Sequence, residues 1–308
     1  MQKRAFLTLI VLLLIAIGVL PVLSMLVKSL TADGHLSVAA YRNVLNSARQ
    51  WTLLGHSLTL SALVMTLTTL VGVPLGLLLG KTNLPLRKFF LFLFVVPLLL
   101  PPYIMAVSWF DLLGSEGLLA SLFGRSLLPA INRWLFGLPG CTFVLFSTFL
   151  PIPMILTMAF LRTINPRLEE AGRLVSGWNK VLTGITFPLI LPGILLSALL
   201  VFLLSFGEFG VPNFLRYDVF PVESFTQFSA FYNFKVATAA AMPLAVVTFL
   251  ALLLEDFFLR ERTYQLRPAP DAAQEPLIDL GRHRHWLAGL AGLFGLVIVV
   301  VPIAALIV

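Results

Sequence analysis

The chain has 308 residues, of which 59% are apolar and 11% charged, with a mean hydropathy of +0.98. Soluble domains run at about 45–50% apolar and about 25% charged residues, so the soluble-enzyme, disordered and collagen-like classes are excluded and an integral membrane protein is left. The single cysteine, Cys141, excludes an intrachain disulfide and a zinc site built on paired thiolates, and the net charge of +7 becomes a question of where Lys and Arg fall along the chain.

About 20 apolar residues in a helix cross the hydrocarbon core of a bilayer. Seven runs reach that length, at 5–27, 53–80, 89–110, 138–161, 185–207, 236–258 and 286–308. The expected fold is an all-α, polytopic helical bundle with six spans in one unit and a seventh helix after it. The first run follows Lys3 and Arg4, so a signal peptide and an uncleaved anchor compete. Its apolar stretch exceeds a signal core of about 7–15 residues and no clear small-x-small cleavage site follows, which favours the anchor.

The second run carries Gly72, Gly76 and Gly80 at a spacing of four, on one helix face, where small residues let another helix approach closely. Pro74 is expected to kink or loosen this helix, and His56 reads as a polar interface residue near its outer end. Gly76 to Thr82 looks like a phosphate-binding loop, but it is one residue short of the pattern and follows a membrane helix where the motif needs a strand. Nucleotide binding there is not expected.

Segment 111–137, with Gly114, Gly117, Gly124, Leu118 and Phe123, is too apolar for a solvated loop and reads as an interfacial or re-entrant helix. Cys141, in the fourth run, reads as a small core residue.

A polar interruption follows at 162–188. Asn165-Pro166 can open a helix, with proline at its first position. Glu169 and Glu170 fall in the first turn, where carboxylates favour the helix dipole. Ala171, Gly172, Leu174 and Val175 give a small-residue, apolar side. Ser176-Gly177 breaks the helix, Trp178 begins a second short piece, and Pro188 and Pro192 open the next span. Such a helix–turn–helix at the membrane surface offers a grip for a soluble partner.

Glu208 lies in Ser205-Phe206-Gly207-Glu208-Phe209-Gly210, near the outer end of the fifth span. A carboxylate there must face a cavity, a partner or the interface. A pathway or gate role for Glu208, Phe206 and Phe209 stands beside two plainer readings, a structural hydrogen-bond network and simple interfacial placement. The next segment, 211–235, is dense in Phe and Tyr, as an aromatic belt is, or a docking surface for an external partner. Glu255-Asp256 are expected to pair with Arg260 or Arg262.

Residues 261–285, rich in proline, alanine and charge, read as an exposed linker. The last run, 286–308, echoes the first. Both follow basic residues and both place a proline late, Pro21 lying 17 positions after Arg4 and Pro302 lying 17 after His285. Val308 falls inside an apolar run. The expected organisation is a transmembrane unit at 1–260 (core about 50–260), a cytoplasmic linker at 261–285, and at 286–308 the first helix of a truncated second copy. With the N-terminus inside, 14 of the 21 Lys and Arg fall in inside segments, a two-to-one bias that supports that orientation. The positive charge is then mostly topology, and nucleic acid is not an expected partner.

Segment 162–188 resembles the EAA loop of permease subunits in binding-protein-dependent ABC importers, with the MetI-like fold. Glu170, Ala171 and Gly172 stand for Glu-Ala-Ala, Ser176 with the adjacent Gly177 for the later glycine, and Ile185 to Pro188 for the closing hydrophobic-x-Leu-Pro. Gly172 for Ala, Ser176 for Gly and a spacing about one residue short depart from the family pattern. Residues 191–212 look like the following helix in the ferric iron, thiamine and phosphonate group, whose members often fuse two permease halves.

The resemblance implies alternating access in the bacterial inner membrane, driven by a separate cytoplasmic ABC ATPase dimer that holds the ATP, and no cofactor or hydrolytic site in this chain. It implies a periplasmic binding protein and a second permease half, fused or separate, as partners. Glu169, Glu170, Ala171, Gly172, Arg173, Ser176 and Gly177 would form the ATPase-coupling loop, with Glu170 as the leading contact. An ion-coupled secondary transporter is the alternative. Nearly charge-free span interiors count against it, and no His, Asp or Ser-Lys set suggests an intramembrane enzyme.

Overall fold

In hydrocarbon the backbone has no water to bond with, so an isolated crossing segment must be helical. The computed structural model describes residues 2–32, 35–114, 117, 128–259 and 278–306. Its long apolar helices are α1 (Phe6–Ser29), α3 (Ala48–Lys81), α7 (Leu138–Leu161), α9 (Trp178–Phe206), α12 (Phe234–Phe257) and α13 (Gly281–Ala305). A bent pair, α4 (Arg87–Leu99) and α5 (Pro102–Leu113), supplies the remaining apolar run. Shorter helices are α2 (Ala39–Asn46), α6 (Leu128–Leu135), α8 (Pro166–Val175), α10 (Gly210–Phe214) and α11 (Phe220–Ser229). Among the described residues the strands are a two-residue antiparallel pair, Thr31–Ala32 with His35–Leu36.

The run 89–110 is not the straight span that its length suggested. It turns through 101° between α4 and α5. The cause is Pro97, Pro101 and Pro102. Residues preceding proline are pushed out of the helical region, and Leu100 and Pro101 are extended, with ψ of 137° and 138°. Pro101 and Pro102 have no N–H to leave unpaired, and Leu100 donates its own to the Pro97 carbonyl at 3.2 Å. A sharp break is thereby made with few orphaned groups. Pro74, by contrast, sits inside an unbroken helix.

Three other prolines are absorbed differently. Wide π turns occupy Ile15–Val19, Leu182–Thr186 and Leu296–Val300, and each ends two residues before a proline, Pro21, Pro188 or Pro302. A proline ring collides with the carbonyl four residues back. That residue is Ile17, Gly184 or Ile298, the middle of the wide turn in each case, so the extra residue opens the helix where the clash would fall.

Contacts divide the chain into two units. The first is Met1–Ser57 with Asp218–Thr248. Its core joins Val44 of α2, Leu53 of α3, Phe220 of α11, and Ala239 and Ala240 of α12. His56 Nδ1 lies 2.9 Å from the Asp218 carbonyl, Ser57 Oγ accepts from the Phe220 amide at 2.9 Å, and Arg49 pairs with Glu223 at 3.2 Å. A carbonyl can only accept, so His56 carries its proton on Nδ1.

The second unit is Leu58–Tyr217 with Phe249–Val308. Its central element is α7, most of whose apolar length is buried. The α3 glycines lie against α7. A Cβ on Gly72 would fall 2.6 Å from Pro153, one on Gly76 2.6 Å from the Met154 carbonyl oxygen, and one on Gly80 3.1 Å from Leu161. Lipid is as apolar as the side chains, so close packing of this kind takes over the part that burial from water plays in soluble proteins. Around this seam Leu75, Leu79, Phe90, Phe94, Met154 and Met158 form one cluster, and Ala291, Ile298 and Val299 of α13 complete it. Cys141 is fully buried in α7. Of the segment 111–137, residues 115, 116 and 118–127 lie outside the described residues, as do Arg260 and Arg262, the expected partners of Glu255 and Asp256.

Gly76→Ala should therefore destabilise the protein by about 1–3 kcal/mol, because backbone of α7 must move. Gly55→Ala, with nothing within 4 Å of the added carbon, should not. Melting temperatures in detergent compare the two.

Candidate functional site

The loop between α7 and α9 is built on a capped helix. Asn165 Oδ1 accepts the Arg167 amide at 3.1 Å, and Pro166 fills the first helical position, so the start of α8 needs no outside partner. At the other end the Ser176 amide and hydroxyl both donate to the Gly172 carbonyl, at 2.9 and 3.0 Å. Ser176 and Gly177 are extended, with φ of −151° and −75°, so serine is tolerated at the first position without strain. The chain then enters α9 directly at Trp178. The expected second short helix is the first turn of the span itself, which begins seven residues before the apolar run because the π turn makes room for Pro188.

Two contacts fix the angle between α8 and α9. Gly172 lies where they meet. A Cβ there would come within 2.7 Å of Ile185 Cδ1 and 3.2 Å of Val181 Cγ2. Arg173 places its guanidinium 4.6 Å from the centre of the Trp178 ring, a cation–π contact across the turn. Gly172 therefore serves packing within the loop, and the alanine of the EAA pattern would fit there once the terminal methyl of Ile185 shifted.

Beneath α8 is a buried polar cluster. Glu169 is fully buried, and its Oε2 accepts from the Lys81 ammonium, itself 3% exposed. Its Oε1 accepts from the Thr186 hydroxyl at 2.8 Å. One carboxylate thus joins the C-terminal end of α3, the first turn of α8 and the start of α9. Desolvating two charges costs several kcal/mol per ion, which only good pairing offsets. The sequence reading placed Glu169 in a coupling loop but missed both partners. Lys81 stood out only as a topology charge and as part of the false phosphate-loop match.

With Glu169 turned inward, the exposed side chains of α8 include Glu170, Ala171, Arg173 and, at its C-terminal end, two large apolar groups. Leu174 is 89% exposed and Val175 90%. Exposed apolar groups next to charged ones at the tip of a braced helix form a contact surface.

The second candidate region is where α9 stops. Phe206 is buried and stacks on Phe202, with ring centres 5.6 Å apart and 10° between planes. After Gly207, Glu208 Oε1 accepts the amides of Gly210 and Val211 at 2.9 and 3.2 Å and so caps the short α10. Phe209 is exposed. Phe214 on α10 packs edge-to-face on Tyr103 and Phe110 of α5, at 5.4 and 5.5 Å. Glu208 therefore holds a helix break in place. Its first role in the structure is that of a cap, and its charge is half-buried beside the break.

The profile of a family described as the inner-membrane component of binding-protein-dependent transport systems matches residues 72–263. The ferric transport system permease protein FbpB of Actinobacillus pleuropneumoniae is 24% identical over 217 residues, covering 68% of this chain and 31% of that protein. A Haemophilus influenzae protein provisionally named as a ferric transport system permease is 23% identical over 261 residues, covering 83% of this chain and 41% of the relative. The chain thus spans less than half the length of these two relatives. A protein of Haloferax volcanii named as a probable molybdenum ABC transporter permease is 31% identical over 199 residues, covering 61% of this chain and 68% of that protein. In fold, the chain is similar to a bacterial ABC transporter for import of alginate, with a TM-score of 0.68 at 17% identity over 85% of this chain and 96% of the other. It is also similar to the MetNI methionine ABC transporter, with a TM-score of 0.56 at 18% identity over 71% and 100% of the two chains.

Lys81→Met should leave Glu169 buried without its counter-charge and cost about 3–5 kcal/mol. Lys81→Met with Glu169→Met should recover most of that loss, and Thr186→Val alone should cost about 1 kcal/mol. A double-mutant cycle on melting temperature in detergent checks all three.

Proposed function

The chain belongs to the family of inner-membrane components of binding-protein-dependent transport systems, and from that premise we propose that it forms the membrane pathway of an ATP-driven importer and is not itself an enzyme. In this reading a binding protein delivers a small solute at the outer face, and a separate ATPase dimer, which holds the ATP, drives alternating access from inside. The named relatives handle ferric iron and molybdenum, and a solute of that kind, or a phosphonate, is the class we assign. The two-to-one bias of Lys and Arg supports a cytoplasmic N-terminus.

The observation that carries the reading is the combination at α8. Leu174 and Val175 are almost wholly exposed on a helix whose underside is fastened by the Lys81–Glu169 pair. A lever of this sort must present an apolar, replaceable-by-nothing contact to its partner and stay rigidly attached to the spans. We assign Glu170, Ala171, Arg173, Leu174 and Val175 to direct contact with the ATPase. Glu169, Gly172, Ser176 and Gly177 hold the loop in shape. Glu208, Phe206 and Phe209 sit at the helix break on the solute side, and a gating role there works through the position of the break.

The basic residues that precede α1 and α13, and the proline 17 positions after Arg4 in one and after His285 in the other, support reading α13 as the opening helix of a second permease unit. The first unit then ends near residue 260.

The test is co-purification of the ATPase with the full-length permease. Leu174→Arg with Val175→Arg changes only exposed side chains, so the membrane domain should fold normally and lose the ATPase. Full retention would overturn the assignment of α8. A second measurement addresses Glu208. Gln at 208 can still accept the two amides and should keep uptake near normal, whereas Glu208→Leu should reduce it by about tenfold, the equivalent of about 1.4 kcal/mol from losing the cap.

A further inference from the structure

The residues that lead into α13 do more than connect. Ile278 forms a parallel bridge with Thr82, its amide donating to the Lys81 carbonyl at 2.8 Å and its carbonyl accepting the Asn83 amide at 3.2 Å. The Asn83 side chain then clasps the next two residues. Its Nδ2 donates to Asp279 Oδ1 at 2.6 Å, and its Oδ1 accepts the Leu280 amide at 3.0 Å. Asp279 Oδ1 also accepts the Gly281 amide at 2.9 Å. Gly281 has φ of +52°, a left-handed conformation suited to glycine, and from it the chain turns into α13.

Burial does not demand this arrangement. Asp279 is exposed, and α13 buries its own face independently through Ala291, Ile298 and Val299. What the clasp does is fasten the start of α13 to residues 81–83. The same Lys81 whose carbonyl receives Ile278 sends its ammonium to Glu169 under α8. Two peripheral elements, a loop and a separate helix, therefore share one anchor of three residues. The Asp279 carboxyl is held below its usual range, first by the Gly281 amide and then by the Asn83 side chain, which keeps the acceptor ionised.

We propose that Asn83 is a positioning residue of transport, and that its clasp on Asp279 and Leu280 locks the start of α13 and the α8 loop into one rigid block. The proposal rests on the importer reading. When the ATPase moves α8, the displacement passes through Lys81 and Asn83 to α13 as well as to α3. If α13 opens a second permease unit, this block is a direct mechanical link from the loop of the first half into the second.

The test is an interspin distance in the full-length transporter with its ATPase, nucleotide-free and trapped with ATP and vanadate. Labels go on Arg167→Cys, at the exposed start of α8, and Trp286→Cys, exposed on α13. Native Cys141 is fully buried and stays unlabelled. In the otherwise unchanged protein the distance should be the same in both states. Asn83→Asp replaces the donor facing Asp279 with a second carboxylate, and the distance should then broaden and shift on trapping. Asn83→Asp with Asp279→Asn restores a donor–acceptor pair in the opposite sense and should return the fixed distance, a rescue that a general loss of stability would not show. Should Asn83→Asp not fold, Asp279→Ala removes the same contact from the exposed side.

A distance that changes on trapping in the unsubstituted clasp overturns the proposal. So does an Asn83→Asp distance identical to it in both states, or a loss that the reciprocal pair fails to restore. Failure of the parent chain to retain any ATPase strikes at the importer reading, and the proposal falls with it, so the two failures are distinguishable.

Discussion

Lys81 and Glu169 are both out of water, and neither charge is tolerable there alone. Their pairing brings together residues 88 positions apart, and much of the second unit is arranged around that requirement. It sets where α3 must end, which side of α8 faces inward, and how α9 begins, since Thr186 supplies the remaining hydrogen bond. Rotating α8 to expose Glu169 would strand an ammonium in the interior. The loop is therefore held by electrostatics at its base, while its tip is left to apolar groups that are exposed among the described residues.

Elsewhere the unit is held by shape. Without a water-driven force between spans, α3 and α7 associate because three glycines remove the side chains that would keep their backbones apart. Prolines do complementary work. Where three fall within six residues, at 97, 101 and 102, the helix breaks through 101°. Where one falls alone behind a wide turn, the helix continues. A lone proline, as at 74, can also lie inside an unbroken helix, so it is the clustering of three that turns the chain.

Much of this was legible in the sequence, for identifiable reasons. Run length gives the spans because the bilayer sets a minimum. The spacing of Gly72, Gly76 and Gly80 gives their common face because the helical period does. Asn165-Pro166 gives the start of α8 because capping is local. The Lys81–Glu169 pair was not legible, since no local rule links residues in different segments, and a basic residue at the end of a span reads first as topology. The bend at Pro101 was hidden by the evenness of the apolar run around it. The clasp on Asn83 lay beyond reach for a similar reason, its partners Asp279 and Leu280 being nearly 200 positions away.

The wide turns have a consequence for how these helices can vary. One extra residue in a turn rotates everything beyond it by about 100°, the angle that a residue subtends in a helix. In α13 the face presented by Ala291 and the face presented by Pro302 are thus matched through the π turn at Leu296–Val300. A single-residue deletion in that turn, together with loss of the proline, would give a perfectly regular helix whose two halves pointed in the wrong directions relative to each other. Length, in these segments, is as much a specification as composition.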